Sequence, residues 1–222
     1  MNLTITVAAK APTGVDATGV PVASTGALPR GVRLSREALE RLGFSAKVGQ
    51  TYTIPATGRG PATILVGTGD PKEFDVATLR KAAAALARGA TQYESVATTL
   101  LSAAKGDKRA AAQAIVEGVA LATHRYVELK TKDKKGSKLA SLTVVGTGPA
   151  VGAGVKRGEV YARAANLARD FANMPPAHLT ARMFAERAVA IAAESGLAVE
   201  VFNKDQLQAM GCGGIVGVNR GS

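Results

Sequence analysis

The chain has 222 residues, 46% hydrophobic and 4% aromatic, with no Trp and a single Cys, so its core is aliphatic and an internal disulfide is excluded. One cysteine suits a reducing, cytoplasmic setting. The net charge of +11, from 28 Lys and Arg against 17 Asp and Glu, permits polyanion contact, although a solvated basic surface is the simpler account.

Residues 1–7 alternate like a strand and lack the basic-then-apolar order of a secretory signal. No window approaches the roughly 18 uninterrupted apolar residues of a membrane span, so no membrane partner is expected. Residues 62–67 form a strand with β-branched content, and Gly67-Thr68-Gly69-Asp70-Pro71 is turn chemistry. The spacing of Val76, Leu79, Ala83, Leu86 and Ala90 predicts an amphipathic helix over 75–93. Asp75 can cap it, because a short carboxylate accepts from the first free amides of a helix. A strand follows at 95–101 and a helix at 106–124, with Ile115, Val119 and Ala122 on one stripe. Residues 130–138 are a charged, glycine-containing loop, and 139–145 a strand ending in Gly146-Thr147-Gly148-Pro149. A helix over 155–172 is stopped by Asn173-Met174-Pro175-Pro176, since proline lacks the amide donor and restricts the residue before it. Beyond it come a helix at 180–195, a strand at 197–202, a helix at 204–210 and a glycine-rich strand entry at 213–218.

Strands alternating with helices of this length imply an α/β fold. The expectation is a three-layer α/β domain with a mainly parallel sheet over 1–153, a linker helix over 154–173, and an incomplete α/β unit over 174–222. The pair Gly67-Thr68-Gly69 and Gly146-Thr147-Gly148 reads as two similar strand-to-helix turns.

The chemistry-bearing residues are sparse. Gly146 to Gly154 follows a strand and opens a helix, the setting for phosphate binding, but Val151 stands where dinucleotide spacing needs glycine. A flexible hinge between domains is the preferred reading. His124 at a helix end and His178 in a turn lack metal-ligand spacing and are given structural roles. Cys212 has no base beside it, so it is read as a small residue packed among close-set glycines rather than a nucleophile. Glu186 and Glu194 share a helix face about 12 Å apart, which suits two solvated charges better than one ion. No residue is assigned a catalytic, cofactor-binding or metal-binding role.

Several stretches resemble the leucyl aminopeptidase family of cytosolic two-metal aminopeptidases. They are Gly69-Asp70-Pro71-Lys72, Glu117-Gly118-Val119-Ala120-Leu121-Ala122, and Ala165-Asn166-Leu167-Ala168-Arg169-Asp170 running into Asn173-Met174-Pro175-Pro176. Gly211-Cys212-Gly213-Gly214 completes the signature. The resemblance extends from about residue 62 to the end, and only in general character before that. His178 departs from it, standing where many members carry Asn or Ser. The resemblance implies removal of N-terminal, leucine-type residues from peptides, using two divalent ions, manganese or zinc. It also implies a hexamer, a cytoplasmic location and, in some bacterial members, weak DNA contact by the N-terminal domain. The family's metal-binding motifs have no match here. The chain is therefore expected to be a truncated enzyme, with an N-terminal domain and the opening of a catalytic domain, inactive alone. A basic nucleic-acid-binding module is the alternative.

Overall fold

The computed structural model describes residues 3–58, 60–132 and 136–221. Six strands form one sheet: β1 (Thr4–Ala8), β2 (Ala17–Ala23), β3 (Thr51–Ile54), β4 (Ala62–Gly69), β5 (Ser95–Thr98) and β6 (Ser141–Val145). Their order is β1-β6-β5-β2-β4-β3, parallel throughout except for antiparallel β3 at one edge. The parallel pairs follow from helical crossovers: α2 (Val76–Gly89) links β4 to β5, and α3 (Lys108–Thr123) lies between β5 and β6.

Alternation along the strands divides the core in two. Ile64 and Val66 of β4, Val96 of β5 and Leu142 and Val144 of β6 point to one face, where Leu79 and Leu86 of α2 and Ile115 and Val119 of α3 cover them. Leu65 and Val22 point to the other face and meet Leu39 of α1 (Arg36–Arg41), Phe44 and Ala46. Helices on both faces of the sheet make the three layers expected. Towards β1 the second face turns polar: Thr6 and Thr143 bring their hydroxyls to 3.1 Å.

The covering helices pack unusually close because glycine faces the crossings. A Cβ on Gly118 of α3 would stand 2.3 Å from the Arg80 carbonyl oxygen of α2. One on Gly154 of α4 (Pro149–Asn173) would stand 2.3 Å from that of Arg109 in α3. Beside the first crossing, Glu117 is buried and accepts from Arg80 Nε and Gln113 Nε2, both at 2.6 Å, so its two oxygens are used.

The chain divides into two compact units, Met1–Asp170 and Phe171–Ser222. In the second, a 3-10 turn at Pro176–His178 is followed by α5 (Ala181–Ser195), α6 (Lys204–Ala209) and α7 (Gly213–Asn219). Two expectations are corrected here. Residues 197–202 form no strand, and 213–218 are helical rather than a strand entry. The physical reason is common to both: a strand needs a hydrogen-bonded neighbour, and none is offered among the described residues of this unit, whereas a helix satisfies its amides locally. Smaller differences are an α2 that ends at Gly89, and a strand at 95 that gives way to a 3-10 turn, Leu100–Ala103.

Candidate functional site

The end of α3 and the inner face of α4 enclose a half-open groove of about 860 Å³, whose lining includes Leu3, Ile5, Leu139, His124, Arg163 and Asp170. The two helices run side by side, tied by Asn166 Nδ2 donating to Ala120 O at 3.3 Å and Arg169 donating to Leu121 O at 2.9 Å. His124 caps the C-terminus of α3, where a cation is welcome. Its Nε2 lies 3.1 Å from Asp170 Oδ1, out of line for a hydrogen bond, so the attraction is that of an ion pair when the imidazole is protonated.

A histidine beside an aspartate is two thirds of a nucleophile-activating set. The third member would be a hydroxyl or thiol presented to the imidazole. The neighbouring Thr123 hydroxyl donates back to Val119 O and Ala120 O, at 3.1 and 3.3 Å, and is not presented to the imidazole. The groove thus combines an apolar floor with opposed charges, and no hydrolytic set is assembled among its described residues. The sequence carried no sign of the His124–Asp170 pair, because 46 residues separate them and only the packing of α3 on α4 brings them together.

The other singled-out residues stay apart. Glu186 and Glu194 are exposed along α5, and His178 is exposed in its 3-10 turn. Cys212 is a free thiol at the start of α7, half-buried. The packing reading of Cys212 is corrected: Gly213 and Gly214 face open space, with no atom within 4 Å of a built Cβ. Among the described residues no three His, Cys, Asp or Glu side chains gather closely enough to hold a metal ion.

Gly146 to Gly154 is corrected from hinge to packed turn. The Gly146 amide donates to Ala8 O at 2.8 Å, and Gly148, with φ +92°, turns the chain so that Pro149 begins α4. The likeness to Gly67-Thr68-Gly69 fails, since those residues lie inside β4 rather than after it. Of the basic loop, Lys130, Lys132 and Lys138 are exposed, while Asp133, Lys134 and Lys135 lie outside the described residues.

Charge is divided unevenly along the chain. Residues 171–222 hold four basic side chains (Arg182, Arg187, Lys204, Arg220) and four acidic ones (Glu186, Glu194, Glu200, Asp205). The whole excess of +11 therefore belongs to residues 1–170.

Comparison with known proteins supplies what the geometry lacks. Residues 27–133 match the family model of the cytosol aminopeptidase N-terminal domain, and residues 166–222 match that of the catalytic domain. The chain is 38% identical over 182 residues to the probable cytosol aminopeptidase of Microcystis aeruginosa, covering 81% of this chain and 37% of that protein. It is 35% identical over 209 residues to that of Leifsonia xyli, covering 93% and 40%. The chain thus spans about two fifths of the length of the curated relatives it matches. Among solved structures it is similar to the bottromycin maturation enzyme BotP, with a TM-score of 0.75, 28% identity, and 89% and 41% of the two chains covered. In fold it also resembles a mutant of tomato leucine aminopeptidase, with a TM-score of 0.79, 22% identity, and 94% and 46% covered. With one family's N-terminal and catalytic domain models matched in succession, and helices and sheet arranged as in its solved relatives, the chain belongs to the cytosol aminopeptidase family.

Proposed function

We propose that this chain is the first part of a metal-dependent aminopeptidase that removes N-terminal, leucine-type residues from peptides. The observation that carries the reading is the order of the two family matches, N-terminal domain and then catalytic domain, in one chain. We assign residues 1–153 to the N-terminal domain, 154–173 to a linker helix and 174–222 to the opening of the catalytic domain.

The described residues offer no group that fits a metal ion, so no ligand and no catalytic step is assigned to them. Two divalent ions, manganese or zinc, would be held by a part of the enzyme outside these residues. Manganese has support in a BotP structure solved in complex with Mn. A hexamer and a cytoplasmic location complete the reading. The relatives' name, cytosol aminopeptidase, supports the location, and no described helix is long and apolar enough to cross a membrane. The alternative, a nucleic-acid-binding module, rests on the +11 concentrated in residues 1–170.

Two assays test the proposal. The purified chain should not hydrolyse a leucyl amide with manganese or zinc added, and metal-dependent turnover above background would place ligands in it after all. A chimera in which this chain replaces the matching part of the Microcystis aeruginosa relative should hydrolyse that amide. A folded chimera without turnover would overturn the aminopeptidase reading.

A further inference from the structure

Glu159, Arg163, Asn166 and Asp170 of α4 line the groove beside α3, and their spacing keeps them on one side of the helix. Leu3 and Ile5, half-buried against the core, give the groove its apolar floor. Asn166 and Asp170 are occupied, the first donating to Ala120 O at 3.3 Å and the second facing His124 at 3.1 Å. Arg125 and Glu128 also line the groove and have partners of their own. Half-buried Glu159 and exposed Arg163 are left. A glutamate four residues before a base is the order that pairs best along a helix. Even so, neither side chain makes a hydrogen bond or ion pair among the described residues.

A carboxylate and a guanidinium thus stand unpaired beside an apolar surface, about 6 Å apart along the helix axis. A simple anion would meet the charge of Glu159, and a simple cation that of Arg163. An uncharged apolar molecule would strip water from both and put nothing in its place. What answers all three features is a molecule with an ammonium at one end, a carboxylate at the other and an apolar body between. Two residues of extended chain span about 7 Å, which matches the spacing of the two side chains, whereas a single amino acid spans about half of that and falls short. The groove's 860 Å³ lies within the usual range for small-molecule sites.

We infer that this groove binds an apolar dipeptide as its zwitterion. Glu159 accepts from the ammonium, Arg163 donates to the carboxylate through its planar fork, and the two apolar side chains lie on Leu3 and Ile5. Both charged contacts are open to solvent, so each is weak, and the dissociation constant is about 1 mM.

The test titrates the isotope-labelled chain with leucyl-leucine, without added metal so that turnover plays no part, and follows the amide resonances. Shifts centred on residues 3–5 and 159–167 are expected, saturating with a dissociation constant of about 1 mM. N-acetyl-leucyl-leucine and leucyl-leucinamide should each bind about fivefold more weakly, because each has lost one charge-assisted hydrogen bond. Glycyl-glycine should bind about tenfold more weakly, because it leaves the apolar floor uncovered. Glu159→Gln should erase the preference for a free over an acetylated amine, and Arg163→Gln that for a carboxylate over an amide, each leaving the other preference in place. Neither side chain has a partner in the fold, so the thermal midpoints should not move. Absence of shifts up to about 20 mM leucyl-leucine rejects the inference. Equal binding of the blocked peptides rejects it too, and leaves only apolar adsorption. Binding whose preferences survive in both variants puts the dipeptide elsewhere on the molecule and overturns the assignment of Glu159 and Arg163.

Discussion

Asp16 shows how one side chain ties distant strands together. Its Oδ2 accepts from the Ser95 amide at 2.8 Å, the Ser95 hydroxyl at 2.9 Å and the Glu94 amide at 3.0 Å, clipping the start of β2 to the start of β5. Its carbonyl oxygen accepts from Ala62 N at 2.9 Å, which reaches β4 as well. The Ser95 amide and then the Ser95 hydroxyl hold the carboxyl below the usual 3.8, with slight burial opposing and the Glu94 amide adding to the fall. A carboxyl depressed in the fold stabilises it above the unfolded value, and that contribution is lost as pH falls through the folded one. Asp16→Ala should therefore cost about 1 kcal/mol at neutral pH by urea titration. The gap to wild type should close on acidification below 3.8. A gap unchanged by acid would mean that the side chain acts by shape rather than charge. Nothing in the local sequence reveals this role, because the partners lie 78 and 79 residues away. Asp75, by contrast, accepts from Thr78 N at 2.7 Å, three residues on, and its capping role is plain in the sequence.

At the level of elements, α2 and α3 form the tightest crossing. A methyl at Gly118 would collide with backbone, which cannot rotate away as a side chain can. Gly118→Ala should cost about 2 kcal/mol, the usual range for overpacking, even though alanine is the better helix former. Stabilisation by this substitution, read from the thermal midpoint, would show that the helices can separate freely. The elements legible in sequence were those whose pattern matches one period: α2, α3, β4 and β6. Of the sheet strands and covering helices of the first unit, the ones not anticipated, β2, α1 and β3, all come before residue 55. β2 is the instructive case, a central strand carrying Gly19 and Pro21. Gly19 O accepts from Thr99 N at 2.9 Å, so the backbone at 19, and by alternation at 21, faces the β5 side. β5 has ended at Thr98, so the missing proline donor falls where no ladder bond is needed.

For the whole molecule, the division of charge sets the expected behaviour towards polyanions. If charge alone drives contact, duplex DNA binding should be weak, indifferent to sequence, and lost with salt at a slope of about −0.9 per phosphate neutralised. Replacing the exposed Lys130, Lys132 and Lys138 with Glu should reduce that slope and leave the thermal midpoint unchanged. Tight, sequence-selective binding that survives raised salt would promote the nucleic-acid module over the aminopeptidase.

By itself, the sequence determined the α/β class, the mainly parallel sheet, the capped helix α2, the helix α3, and the family, because these depend on local periodicity, short-range capping and residue patterns along the chain. Tertiary structure decided the strand order, the place of β2 at the centre, the Asp16 clip and the meeting of His124 with Asp170, since each needs groups dozens of residues apart to be brought within a few ångströms. It also decided the fate of 197–202. Their side chains are those of a strand, but strand structure is made by two partners, and among the described residues of this unit there is only one.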